Sequence, residues 1–194
     1  MFTSVLNNDK YYCEHLTTSE KNLQDIQNFS VKHANGEGLA NYVKNSALYD
    51  EADGVMRTYF VRDNVSHELV GYFSLKAGLV SLNEGNSGRV ADFDTLPGVE
   101  VANFAVNNSY CQKHSAAKGI GFIIFADFIK PLIKKAAELV GVKVIYIFAL
   151  PFDELIKHYE KYGFRRLNSQ SEIELHKRLK PRYDSECIFM FIML

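Results

Sequence analysis

The residues with spacing suited to chemistry begin with Gly119 and Gly121, in Lys118-Gly119-Ile120-Gly121, directly before a long apolar-periodic run. A helix starting there presents backbone N–H groups without intrahelical partners, and glycine permits close approach of an anion. The pattern suits a phosphate, and it also suits close packing of a helix against a strand. Glu100 shares one face of a strand-like stretch with Ala102, Phe104 and Val106 by period-two alternation. Taken alone, it is a strand-end carboxylate that meets solvent or pairs with a lysine. Tyr159 follows Leu155 by four residues and Ile156 by three, on the inward stripe of a short helix, where a tyrosine ordinarily belongs to the core. Cys111 offers either a reactive thiol or a small space-filling side chain. His114, His158 and His176 are isolated in sequence, and no Ser-His-Asp spacing occurs.

These residues need elements to position them. Lys10 to Leu16 reads as a first strand, and Thr17, Thr18 and Ser19 offer an N-cap for a helix from Glu20 to about Phe29 with Leu23, Ile26 and Phe29 inward. A second helix after Gly36 and Gly38 carries Leu39, Tyr42, Val43 and Ala47 on one face, and Asp50 to Gly54 ends it. Val55 to Arg62 and Glu68 to Lys76 form an antiparallel pair around the Asp63-Asn64 turn. Ser81 to Pro97 is a loop, and Pro97-Gly98 starts a central strand that runs to Val106 and exits through a polar loop at Asn107, Asn108 and Ser109. Phe122, Phe125, Ile129, Leu132, Ala136 and Leu139 then predict one buried helix to about Val140, kinked near Asp127 to Lys130 by Pro131. Val142 to Leu150 is almost continuously apolar, as in a parallel strand covered on both faces, which completes a βαβ unit. Asp153 caps a helix with Leu155, Ile156, Tyr159 and Tyr162 inward, and Gly163 stops it. Phe164 to Leu167 is strand-like and Ser169 to Tyr183 is unassigned. The last run, Glu186 to Leu194, is too apolar to stand exposed and is sheltered in the sheet or in a homodimer interface.

The length fits one domain, 1–194, large enough to form a core without staples. Three scattered cysteines, Cys13, Cys111 and Cys187, argue against a disulfide framework and against zinc, and no metal is expected. The longest apolar run, Gly119 to Ile129, is too short to span a bilayer and no signal pattern opens the chain, so a soluble cytoplasmic protein is expected, without a membrane partner. The formal net charge of −1 conceals an asymmetry. Residues 113–182 hold 14 Lys/Arg against 7 Asp/Glu, and the remainder holds 8 against 16. The basic half attracts an anionic ligand, either a nucleotide cofactor or a nucleic acid, or else it provides solvated helix faces.

In this order of elements the chain resembles the GNAT superfamily of acyl-CoA-dependent N-acyltransferases, over about residues 10–194. Three stretches carry the resemblance. Glu100 to Val106 is similar to the family's central strand, Lys118-Gly119-Ile120-Gly121 to its pyrophosphate loop, and His158-Tyr159-Glu160-Lys161-Tyr162-Gly163-Phe164 to its frequent Tyr-Glu-Lys-x-Gly-Phe ending. The resemblance implies an α/β (α+β) fold, a mixed and mostly antiparallel twisted sheet with a splayed central parallel pair, flanked by helices. It implies acetyl-CoA as co-substrate and a primary amine as acceptor. Phe104, Ala105 and Val106 would meet the pantetheine arm, and Lys118, Gly119, Ile120 and Gly121 the pyrophosphate. Glu100 would act as general base, and Tyr159 would protonate the departing thiolate. Ala116 stands where the family loop has Arg or Gln, which leaves Lys113, His114 and Lys118 to supply charge.

Gly71-Tyr72-Phe73-Ser74-Leu75, Leu96-Pro97-Gly98-Val99-Glu100 and the Gly38 to Ala47 helix are similar to those of the GNAT-type toxins of bacterial toxin–antitoxin pairs. That subgroup implies charged tRNA as acceptor, with which the basic half is compatible. A third alternative, motivated by Ala116, is an acyl-CoA-binding module without activity.

Overall fold

Backbone pairing in the first part of the chain follows from alternation and turn chemistry. The structure, a computed structural model, describes residues 4–81, 95–116, 118–178 and 186–194. β1 (Ser4–Asn7), which the sequence did not signal, pairs with β2 (Tyr11–His15), the expected first strand. β3 (Arg57–Asp63) and β4 (Leu69–Ser81) form the expected antiparallel pair, and Asp63 Oδ1 accepts from the N–H groups of Val65 and Ser66 to close the turn. Between β2 and β3 lie α1 (Glu20–Asn28), α2 (Glu37–Asn45) and α3 (Ala47–Ala52). Ser19 caps α1 by accepting from the Asn22 N–H, as expected. The buried face differs from the expected one, because Leu23 is exposed and Asn22 is buried beside Ile26 and Phe29.

The reason is Arg62, which is fully buried in β3. Its guanidinium donates to Glu14, to Asp25 Oδ2 at 2.7 Å, to Asn22 Oδ1 at 2.6 Å and to the His67 carbonyl at 3.1 Å. A buried cation needs such acceptors, so α1 turns a polar edge inward rather than Leu23. Removing one partner of a buried pair of this kind costs about 3–5 kcal/mol.

β5 (Thr95–Val106) begins two residues before Pro97 rather than at it. The loop expected at Ser81 to Pro97 falls largely at 82–94, outside the described residues. Beyond β5 the expected polar loop contains a short helix, α4 (Asn108–Lys113), because the Asn107 side chain accepts from the Ser109 N–H and starts it. α5 (Ile120–Ile124), a π turn at Phe125–Ile129 and α6 (Lys130–Leu139) form the long helical run. Pro131 lacks an N–H to give the carbonyl four residues back, and the widened turn lies directly before it. The extra residue in that turn also shifts the buried face. Ile120, Ile124, Phe125, Phe128, Ile129 and Ile133 are buried, so Phe125 and Ile129 of the expected stripe are inside, whereas Phe122 and Leu139 are exposed.

β6 (Val144–Ala149), α7 (Asp153–Lys161), β7 (Arg165–Arg166), α8 (Ser169–Arg178) and β8 (Ile188–Met193) complete the chain. Phe152, not Asp153, is the capping residue of α7, and Asp153 lies in its acidic first turn. α8 occupies most of the unassigned Ser169 to Tyr183 segment, of which 179–183 lies outside the described residues. β8 pairs with β6 on one edge and β7 on the other, so the apolar last strand is sheltered within the sheet.

The described strands form one sheet of order β1-β2-β3-β4-β5-β6-β8-β7, with β5 and β6 parallel. This is the mixed, mostly antiparallel α/β fold expected. The chain divides into two compact units, Met1–Lys76 with Val101–Leu132 and Ala77–Glu100 with Ile133–Leu194. In the first, α1 to α3 pack Ile26, Phe29, Tyr42, Val43 and Ala47 against Phe60, Tyr72 and Ala105 of the sheet. In the second, Val80, Val144, Tyr146, Phe189 and Phe191 pack with Leu175 of α8. Among the described residues no helix is long and apolar enough to cross a membrane, and no group of side chains is arranged to hold a metal ion.

Candidate active site

In the first unit the site residues predicted for the cofactor occupy the end of β5 and the start of α5. Phe104 and Val106 are half-buried and alternate with buried Ala105. Gly71 in β4 faces this strand end so closely that a Cβ there would lie 2.7 Å from the Ala105 carbonyl oxygen and 2.9 Å from Ile124. Glycine at 71 is therefore a packing requirement. Asn107 fixes the strand end, its N–H bonding the Val70 carbonyl at 2.8 Å and its side-chain amide the Leu69 carbonyl at 2.9 Å.

Gly119 caps α5 at φ 72°, a left-handed conformation that glycine adopts without penalty. A Cβ on Gly119 would find nothing within 4 Å. The first bond of the helix runs from the Ile123 N–H to the Gly119 carbonyl at 3.1 Å, so the preceding N–H groups belong to an open helix start. Lys118 beside it is exposed. Lys113 and His114, expected to add charge here, both engage Glu68, at 2.5 Å and 2.9 Å. Lys113 and then His114 hold the Glu68 carboxyl down at about 2. His114 stacks on Tyr110 with ring centres 4.2 Å apart, and the Tyr110 hydroxyl donates to Asp63 at 2.6 Å. Burial raises the pKa of Cys111, which leaves it a poor nucleophile and favours the space-filling alternative.

In the second unit, Tyr159 stands on α7 within a glycine-terminated helix end. The Gly163 N–H bonds the Glu160 carbonyl at 2.9 Å and the Phe164 N–H bonds the Tyr159 carbonyl at 3.1 Å. Gly163, at φ 96°, makes this closure. The Phe164 ring meets the Tyr159 ring edge-on at 5.6 Å, and Tyr162 meets it edge-on at 6.0 Å. The Tyr-Glu-Lys-x-Gly-Phe spacing is thus a device for ending the helix, and it fixes the Tyr159 ring between two aromatic neighbours. Burial, and secondarily Tyr162, pushes the Tyr159 phenol above the usual tyrosine range. Tyr159 itself is half-buried, Ile156 and Tyr162 are buried, and Leu155 is half-buried, so the expected inward stripe is present.

Glu100 lies in the same unit, half-buried at the last rung of the parallel ladder, which pairs Gly98 with Val144, Val99 with Ile145 and Glu100 with Tyr146. β5 continues to Val106 and β6 to Ala149 beyond that rung. The residue missed from sequence is Tyr146. Its hydroxyl donates to Glu100 Oε2 over 3.5 Å, and burial, then the Glu100 charge, drives its pKa upward. The only trace in the sequence is one phenol within the apolar run Val-Ile-Tyr-Ile-Phe; the glycines at 78 and 98 come beside it only in the sheet.

No family model matches the chain. Solved structures do. AtaT complexed with acetyl-methionyl-tRNAfMet is 17% identical, covers 94% of this chain and 94% of its own, and superposes with a TM-score of 0.67. AtaTR bound with AcCoA is 19% identical, with 96% and 94% covered and a TM-score of 0.65. A tyrosine-to-phenylalanine mutant of KacT is 16% identical, with 95% of each chain covered and a TM-score of 0.66. At these identities the likeness speaks for architecture, and over nearly its whole length the chain has the fold of AtaT and KacT, the GNAT fold.

Proposed function

We propose that the protein is an acetyl-CoA-dependent N-acetyltransferase that transfers the acetyl group directly to a primary amine. The observation that carries this reading is the chain-long likeness to structures solved with acetyl-CoA, at 95% and 96% coverage of this chain. The open, left-handed Gly119 at the start of α5 fits the pyrophosphate of such a ligand, since a Cβ position with nothing within 4 Å leaves the backbone approachable. Lys118, Gly119, Ile120 and Gly121 take the pyrophosphate, and the β5 backbone at Phe104, Ala105 and Val106 takes the pantetheine arm. Helix-start assistance to an anion is typically about 0.3–1 kcal/mol, so affinity also draws on the rest of the ligand.

In the proposed step the acceptor nitrogen attacks the thioester carbonyl carbon and the carbon–sulfur bond breaks. Glu100 accepts the proton lost by the nitrogen, directly or through water, and Tyr159 gives its phenolic proton to the departing thiolate. A base matters most for a lysine-type amine, with a pKa of about 10.4, and less for an α-amine, at about 7.7–8. The raised pKa of Tyr159 keeps it protonated at neutral pH, the form an acid must start from, while making it a weaker acid.

For the acceptor, the likeness to AtaT complexed with acetyl-methionyl-tRNAfMet favours charged tRNA. The basic 113–182 segment supports contact with a phosphate backbone. An antitoxin partner and a cytoplasmic location go with this reading, since AtaT was also solved with the C-terminus of the antitoxin AtaR. The test is a screen with labelled acetyl-CoA over free amines, peptides and charged tRNAs. Label recovered on the aminoacyl group of tRNA supports the toxin reading. Label on another amine retains the enzyme and removes tRNA. Binding without transfer to any acceptor leaves the inactive module.

A further inference from the structure

Tyr146 is a buried phenol with no place in the reaction as described, and its surroundings are cut to fit it. Its side chain lies across β5 and reaches β4. A Cβ on Gly98 would come within 3.2 Å of the ring carbons Cδ1 and Cε1, and one on Gly78 would lie 3.0 Å from Cζ and collide with the hydroxyl. Phe189 and Phe148 hold the ring, with centres 5.6 Å and 6.2 Å away. Gly78 and Phe191, the β4 and β8 residues set against Tyr146, carry no titratable group. The hydroxyl is thereby directed along the sheet to Glu100, its register partner at the last rung of the parallel ladder.

We infer that Tyr146 is the positioning residue for Glu100, its phenol lodged in the slot left by Gly78 and Gly98 and its O–H aimed at the carboxylate. The inference rests on the proposed role of Glu100 as base. A donor fixed in a slot limits the rotamers of the carboxylate and favours its ionised form, the form that accepts a proton. At 3.5 Å the bond is long, as catalytic hydrogen bonds in substrate-free enzymes often are.

The test follows the Glu100 carboxyl by carbon-13 NMR of glutamate-labelled full-length protein, with the resonance assigned by its disappearance in Glu100→Gln. Tyr146→Phe retains the ring and its packing, and unchanged melting verifies that the fold is intact. In Tyr146→Phe the Glu100 carboxyl titrates at higher pH than in the parent protein. A titration identical to the parent overturns the inference. A parallel arm measures turnover of Glu100→Gln with acetyl-CoA and the acceptor found in the screen. Full turnover there overturns the base role and, with it, the catalytic meaning of the contact. Lost turnover with an unmoved Tyr146→Phe titration leaves the base in place and removes Tyr146. Where both arms respond, Tyr146→Phe lowers kcat about tenfold with little change in KM for acetyl-CoA, the scale of one hydrogen bond to a charged group.

Discussion

Gly119 and Gly163 both hold positive φ, at 72° and 96°, yet the chain around them is finished in opposite ways. At Gly163 the following N–H groups turn back onto the carbonyls of Glu160 and Tyr159, and Phe164 packs on the Tyr159 ring. The helix end uses its own groups, and the glycine is explained by the fold. At Gly119 the helix begins with no side-chain cap and a Cβ position that meets nothing within 4 Å. Neither site is crowded, since a Cβ at Gly163 would meet only Ile192 at 3.9 Å. Conformation demands glycine at both, and at Gly119 the space is left open. A motif glycine beside a candidate catalytic tyrosine therefore says little about chemistry, whereas one before an open helix start is an invitation to an anion.

The comparison can be broken most decisively at Tyr159. Tyr159→Phe preserves the aromatic contacts that close α7 and removes only the proton donor, so turnover is expected to fall by about 10²–10⁴ with acetyl-CoA affinity and melting temperature nearly unchanged. Unchanged turnover would leave Tyr159 as a core residue. Next in size, Gly163→Ala and Gly119→Ala each impose a left-handed conformation on a Cβ, at a cost of about 1–2 kcal/mol measurable by chemical denaturation. The two should separate in binding, because only Gly119→Ala places a methyl group in the open approach and weakens acetyl-CoA. Equal affinity in both would make Gly119 a structural glycine like Gly163. Lys118→Ala is expected to weaken acetyl-CoA a few-fold, an effect that shrinks as salt is raised because the side chain is exposed.

The smallest effect concerns Glu68. Its folded pKa, about 2, lies below the ordinary 4.5, so the stability that it provides with Lys113 and His114 is fully present above about pH 4.5 and is lost as pH falls towards about 2. Melting curves across that window should show the loss, and Glu68→Gln should flatten it.

The sheet, the parallel β5–β6 pair and the helices that bracket it were legible because alternation, glycine and proline act locally and leave periodic traces. β1, α4 and α8 left no such trace, and neither did three features of side-chain placement. Arg62 and Asn22 reverse the expected face of α1 through a buried ion network whose members, Glu14, Asn22 and Asp25, are distant in sequence from Arg62. The π turn at Phe125–Ile129 rotates the helix face, so a strict 3.6-residue stripe places Phe122 and Leu139 inside when both are outside. Tyr146 reads as one more strand residue until Gly78 and Gly98 are brought beside it by the sheet. Glu100, Tyr159 and the Gly119 loop were visible in sequence as residue types in order, and the structure supplies the local geometry of each.

Calorimetric titration of the parent protein and Gly119→Ala with acetyl-CoA tests the central claim most directly. Saturable binding to the parent, weakened in Gly119→Ala, is the predicted result. No heat and no thermal shift at millimolar acetyl-CoA would contradict the account at its first step.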